Sequence, residues 1–292
     1  MKKLCFSLLL AFCIILFSYA QQGTVIKNLS LKSNILNKEM KYAVYLPANY
    51  DKGDKKYPVL YLLHGYGDNE NAWIDKGKIV DALNSQRLAS LNFPIIIVMP
   101  DAMKTYYMNF HDGSVKYEDY FFKEFIPYIE NNYRIEKNKN SRAISGLSMG
   151  GFGSFLYAIK YPGYFKVAAP LSSAIRTDEE LVSMKDSIYH RSAYAHLLGK
   201  NLRGKKRLNK TWYENSIINL IERGQIDSLK SVKWYIDCGD DDYLINGNIM
   251  THLALKKREI PHELRIKDGA HNWAYWQAAF IDVYQFIYQN LK

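Results

Sequence analysis

Cysteine is nearly absent. The 292-residue chain holds three, and two of them, Cys5 and Cys13, fall in an apolar N-terminal stretch. Cys238 is then left without a partner. No disulfide framework can staple the remainder, so stability must come from a packed core. There is also no H-E-x-x-H, no C-x-x-C and no glycine-rich phosphate loop, so no metal, haem or nucleotide is implied and no cofactor is expected. The net charge is +10, but the basic residues are scattered, with their densest cluster at Lys200 to Lys210. No nucleic-acid motif accompanies them. The charge reads as a basic, soluble surface with no nucleic-acid partner.

Long apolar runs are equally scarce. The one that stands out, Leu4 to Phe17, is short for a membrane span. It follows Lys2 and Lys3 and precedes Ser18-Tyr19-Ala20. A positive start, an apolar core and small residues before a cut are the parts of a secretory signal peptide. Residues 1–20 are expected to be a cleaved leader, with no stable membrane insertion, and residues 21–292 an exported domain, secreted or periplasmic.

What is present is a rhythm of short apolar runs and longer helix-like stretches, which predicts an α/β fold with a mostly parallel central sheet and helices on both faces. Val25 to Leu31 and Met40 to Leu46 read as an opening antiparallel pair. Tyr57 to Leu63, Pro94 to Met99, Arg142 to Ser145, Phe165 to Leu171, Val232 to Cys238 and His262 to Ile266 read as the following strands. Helices are expected at Tyr120 to Tyr133, Gly150 to Tyr161 and Asp282 to Leu291. Residues 174–231 are polar, basic and rich in tyrosine, fit the rhythm poorly, and read as a helical cap inserted between strands. Caps there shape substrate clefts.

Gly146-Leu147-Ser148-Met149-Gly150 matches G-x-S-x-G between a strand and a helix. A serine on so sharp a turn has close neighbours on both sides, and only glycine fits two residues before and after. The turn lifts the hydroxyl to a helix N-terminus, where backbone N–H groups face developing negative charge. A serine hydroxyl needs a base, and the base needs a partner that fixes its tautomer. Of the histidines after Ser148, only His271 lies in a loop after the last strand. His190, His196, His252 and His262 read as surface or packed residues. The acid should follow the preceding strand, where Asp240-Asp241-Asp242 offers three carboxylates. Asp242 is the choice, because Tyr243-Leu244 can hold it under the surface, and Asp241 stays open. The expected oxyanion donors are the Tyr66 and Met149 amides. His64 precedes Ser148 in chain order and reads as structural. Trp73, Tyr107, Trp273 and Trp276 fall near strand ends, where rings could stack on substrate or equally serve packing.

These blocks resemble the esterase D-like α/β-hydrolases, and most closely carbohydrate esterase family one. The matching pieces are Leu63-His64-Gly65-Tyr66-Gly67 with Trp73, Tyr117-Glu118-Asp119-Tyr120 with Ile126-Pro127-Tyr128-Ile129, Gly146 to Gly151, Cys238-Gly239 with Asp242, and Gly269-Ala270-His271-Asn272-Trp273 with Trp276. The resemblance implies an α/β-hydrolase fold and Ser148, Asp242 and His271 as a triad. It also implies a carboxylic ester hydrolase acting on a carbohydrate-linked ester, feruloyl or acetyl. The rival readings are an acyltransferase, resembling the mycolyltransferases, and a carbohydrate-binding protein without activity.

Overall fold

The computed structural model describes residues 22–291; the expected leader lies outside them. Eight strands form one sheet: β1 (Thr24–Ser33), β2 (Lys38–Leu46), β3 (Val59–Leu63), β4 (Ile96–Pro100), β5 (Arg142–Leu147), β6 (Val167–Leu171), β7 (Lys233–Gly239) and β8 (His262–Lys267). Their order is β1-β2-β4-β3-β5-β6-β7-β8. β1 and β2 pair antiparallel, as do β2 and β4. Every other pairing is parallel.

Burial follows from that topology. Strands β3 to β6 are buried at every position, as expected where helices cover both faces of a parallel sheet. Side chains alternate between two cores. Tyr61, Leu63, Val98 and Ile144 point to one face, where Phe121, Phe125 and Phe155 meet them. Leu60, Leu62, Ile97 and Ala143 point to the other, against Trp276, Phe280 and Val283. The outer strand β8 carries Glu263, Arg265 and Lys267, charges that discourage pairing with another sheet edge.

The helices that place functional residues are α1 (Met149–Lys160), α2 (Ile245–Lys257) and α3 (Trp273–Leu291). α3 starts nine residues before the helix expected at Asp282 to Leu291. Its first turn is fixed by Asn272, whose side-chain oxygen accepts from the Tyr275 N–H at 3.0 Å, an N-cap that satisfies an otherwise unpaired donor. Trp276, Phe280, Val283 and Ile287 then repeat at helical spacing on the buried face. Between β3 and β4, residues 72–89 form three short helices that the apolar rhythm does not reveal. They break at Gly77, where a Cβ would lie 2.6 Å from the Trp73 carbonyl oxygen.

Between β6 and β7 the chain runs through six short α-helices and one 3-10 turn, Gly204–Arg207, from Asp178 to Lys230. Arg207 holds this segment together from inside. Its side chain is fully buried and donates to the carbonyls of Leu181 (3.0 Å) and Met184 (2.5 Å). It also pairs with Asp186 and stacks over the Tyr189 ring at 4.4 Å. One member of the Lys200 to Lys210 cluster is therefore an internal strut, not surface charge.

The order of β4, β3 and β5 locates the site. After β3 the chain steps outward to β4, then returns to β5 on the other side of β3. In an open α/β sheet the crevice at the C-terminal ends of strands whose connections diverge in this way is where ligands bind. Here those ends carry His64-Gly65-Tyr66 after β3 and Ser148 after β5.

Candidate active site

Ser148 sits at φ 54°, ψ −115°, a backbone region that non-glycine residues rarely occupy. The surroundings hold it there. Its N–H donates to the Leu171 carbonyl (3.0 Å), and its own carbonyl accepts from Phe152 (3.0 Å) and Ala174 (2.9 Å). A Cβ on Gly146 would lie 2.7 Å from the Gly150 backbone, and one on Gly150 would lie 2.4 Å from the Leu63 carbonyl oxygen. Both approaches are too close for any side chain. The two glycines are thus imposed by the packing of β3, β5 and α1 around the turn.

The elbow aims the Ser148 hydroxyl at His271. His271 Nε2 lies 2.9 Å from Ser148 Oγ, and its Nδ1 lies 2.8 Å from Asp242 Oδ2. Asp242 accepts from Nδ1–H, which leaves Nε2 as the acceptor for the serine proton. The other Asp242 oxygen, Oδ1, accepts from the Leu244 N–H at 2.8 Å. Burial pushes the Asp242 carboxyl upward, but hydrogen bonds from His271, the Leu244 N–H and Ser172 outweigh it and hold the group below the usual carboxylate range. Asp240 and Asp241 are exposed. Asp240 Oδ1 accepts from the Gly269 N–H (3.0 Å), and the Asp241 N–H donates to the Gly269 carbonyl (3.0 Å). They tie the acid loop to the histidine loop. Leu244 is buried beside Asp242, as expected, whereas Tyr243 stays 67% exposed and lays its ring 4.7 Å from that of His271.

The loop after β3 lies against Ser148: a Cβ on Gly65 would be 3.6 Å from Ser148 Cβ. Among the described residues, neither the Tyr66 nor the Met149 N–H meets a backbone acceptor. His64 fixes this loop. Its Nε2 accepts from the Ala102 N–H at 2.8 Å, so Nδ1 carries the proton and donates to the Gly65 carbonyl at 2.8 Å. Both ring nitrogens are committed, which makes His64 a positioning residue. The other histidines stand apart from Ser148. His252 and His262 bond to each other at 2.7 Å, His190 bonds to the Lys200 carbonyl, and His196 is exposed. Cys238 is fully buried; burial first, then the nearby Asp242 charge, push its thiol far above the ordinary range, so it is no nucleophile.

The aromatic expectation needs correction. Trp73 is buried and its indole N–H donates to the Leu63 carbonyl at 2.9 Å. Tyr107 is buried and its hydroxyl donates to the His64 carbonyl at 3.0 Å. Both brace the loop after β3 from behind and offer no face to a ligand. Trp276 is buried too: its N–H donates to Ser172 Oγ at 3.0 Å, and its ring meets His271 edge-on at 4.8 Å. Trp273 is half-buried and packs edge to face on Trp73 (5.4 Å) and Trp276 (5.3 Å). Indole N–H groups seek acceptors when buried, and for Trp73 and Trp276 the Leu63 carbonyl and Ser172 Oγ supply them.

The cleft in front of Ser148 has a volume of about 250 Å³ and is walled by Tyr66, Tyr106, Tyr194, Tyr243, Arg176 and Arg191 among others. Four of these, Arg176, Arg191, Tyr194 and Tyr243, carry no motif. Arg176 had one positional signal: it closely follows the C-terminal end of β6, the same sheet edge as Ser148.

The putative esterase family model matches residues 33–287. The chain belongs to that esterase family. An acetyl esterase of Caldicellulosiruptor saccharolyticus is 26% identical over 278 residues, covering 90% of this chain and 97% of the relative. An endo-1,4-beta-xylanase/feruloyl esterase of Xylanibacter ruminicola is 34% identical over 152 residues, 49% of this chain but only 20% of that enzyme. Among solved structures, a ferulic acid esterase superimposes with a TM-score of 0.79 at 31% identity, covering 93% of this chain and all of that one. The esterase is thus a carboxylic ester hydrolase of the α/β-hydrolase fold, and the resemblance to carbohydrate esterases read from its sequence is borne out.

Proposed function

We propose that the esterase works by two-step acyl transfer through Ser148, His271 and Asp242. The observation that carries this reading is the continuous hydrogen-bond chain from Asp242 Oδ2 through His271 to Ser148 Oγ, at 2.8 and 2.9 Å. Ser148 Oγ attacks the ester carbonyl as its proton passes to His271 Nε2. Asp242 holds the imidazole tautomer and stabilises the imidazolium. The tetrahedral oxyanion is met by the Tyr66 and Met149 N–H groups. The C–O bond to the alcohol breaks as His271 returns the proton to the leaving oxygen. Water then attacks the acyl-enzyme by the same base and releases the acid.

The substrates proposed are feruloyl or acetyl esters of plant-type polysaccharides. The acetyl esterase and ferulic acid esterase relatives support this, as do the tyrosines at the cleft, of which Tyr66 is 47% exposed. In this reading residues 174–231 act as a cap that shapes the cleft, and residues 1–20 direct export to polymer outside the cytoplasm.

Hydrolysis of methyl ferulate and of acetylated xylan, with Ser148→Ala as control, tests the proposal. Loss of a triad serine costs on the order of 10⁶ in kcat, so the control should be silent on whichever ester the wild type cleaves. Equal turnover by Ser148→Ala would remove the nucleophile assignment. Failure of both substrates with native protein would remove the substrate assignment.

A further inference from the structure

Two arginines face the same cleft as Ser148, and no carboxylate lines it. Arg176 is half-buried, just past β6; Arg191 is exposed, in the turn between the helices Asp186–Tyr189 and Ala193–Leu198. Among the described residues, no Asp or Glu forms an ion pair with either. Three other cations drawn into this fold have carboxylate partners, while the half-buried Arg134 and Arg258 donate to backbone carbonyls. Arg142 has Glu130, Lys160 has Glu118 and Arg207 has Asp186.

The neighbours of Arg176 do not neutralise it. Tyr194, which hydrogen-bonds with Arg176, is pushed up to about 12, chiefly by burial. Burial raises Tyr106 well above the ordinary tyrosine range too. Both remain uncharged hydroxyls at any physiological pH. Glu180 acts on Tyr194 from a distance, but its carboxylate caps the helix Asp178–Ser183 by accepting from the Thr177 N–H at 2.8 Å. Asp242 is enclosed behind His271 and committed to it. At the rim, Lys104 Nζ lies 5.3 Å over the Tyr66 ring and adds a third positive charge.

A guanidinium drawn part-way out of water without a counter-ion is costly unless a ligand supplies one. Its planar fork matches a carboxylate in two parallel hydrogen bonds. We propose that Arg176 and Arg191 form a subsite for a carboxylate carried by the ester substrate, and so set the enzyme's preference for anionic esters. This rests on the esterase reading of Ser148 above. The carboxylate can sit on the acyl part, as in a half-ester of a dicarboxylic acid, or on the alcohol part, as in a uronic acid acylated on a hydroxyl. Both present the same group to the arginines.

Two pairs of esters separate these sources. On the acyl side, 4-nitrophenyl hydrogen adipate is compared with 4-nitrophenyl hexanoate. On the alcohol side, acetylated methyl glucuronide is compared with acetylated methyl glucoside. The wild type should favour the charged member of at least one pair by about 10- to 100-fold in kcat/KM, the scale of a hydrogen bond to a charged group. That ratio should shrink as salt is raised and approach one in Arg176→Gln/Arg191→Gln. Arg176→Lys/Arg191→Lys should keep part of it. A wild-type ratio near one in both pairs, or a ratio that the double variant leaves unchanged, overturns the subsite.

Binding of adipate and of glucuronate to Ser148→Ala, measured by calorimetry, is independent of turnover. Binding that disappears when both arginines become glutamine supports the subsite even if no ester is cleaved, in which case the catalytic reading alone falls. Absence of binding together with wild-type ratios near one removes the subsite while leaving neutral-ester hydrolysis intact.

Discussion

Ser148 occupies a backbone conformation that costs on the order of 1–3 kcal/mol, and the three hydrogen bonds to its backbone together with Gly146 and Gly150 keep it there. The return on that strain is direction: Oγ points out of the sheet at His271. Burial separates one of three consecutive carboxylates from the other two. Asp242 is enclosed and reaches His271 Nδ1, whereas Asp241 faces solvent. Asp242→Asn keeps the shape but donates where an acceptor is needed, so kcat should fall on the order of 10⁴-fold. Asp241→Asn should stay within a few-fold of wild type. Steady-state kinetics on one ester tests both, and the reverse pattern would move the assignment. The two residues joined by the Ser148–His271 contact each carry a local sequence signal, a glycine-flanked turn and a loop after the last strand. The direction of an aromatic ring has no such signal. Trp73 and Trp276 stand near strand ends as expected, yet their N–H groups find acceptors inside the protein and draw the rings into the core.

At the scale of elements, the parallel strands were readable because burial on both faces makes them continuous apolar runs, as in Val59–Leu63. The start of α3 is not legible in the sequence, because Asn272 directly follows His271 and its role as a helix cap shows only in its bond from the Tyr275 N–H. The short helices of residues 178–230 are four to seven residues long, too short to show periodicity. Their order comes from tertiary ties that sequence spacing does not display. Arg207 is the principal one, joining the carbonyls of Leu181, Met184 and Leu202 to Asp186. Arg207→Ala leaves those acceptors unpaired and should destabilise the segment by about 3 kcal/mol. Arg207→Lys should rescue little, since one ammonium cannot span four acceptors. Limited proteolysis should cut both variants within residues 178–230 while wild type resists. Equal resistance in all three would show that the segment is held by other contacts.

At the scale of the molecule, carboxylates set the acid limit of stability. Burial tends to raise Asp242, but its hydrogen bonds to His271 and to the Leu244 N–H leave it lowered. A lowered folded-state value contributes stability that is fully present above the unfolded value, near 3.9 for Asp, and is lost as pH falls through the folded value. Asp237 has the opposite sign. Burial raises it despite hydrogen bonds from Tyr275 and Tyr235, so its ionisation costs stability as pH climbs. Tm should therefore fall between about pH 4 and 2, and Asp242→Asn should flatten that fall. An unchanged acid limb would mean that Asp242 is not held by His271.

The central claim is that Ser148 is activated by His271, and a fluorophosphonate probe with mass spectrometry tests it most directly. The account predicts one covalent adduct per chain, on the peptide carrying Ser148. It should be absent in Ser148→Ala and strongly slowed in His271→Ala. A natively folded wild type that takes up no probe, or takes it up on another residue, would contradict the account.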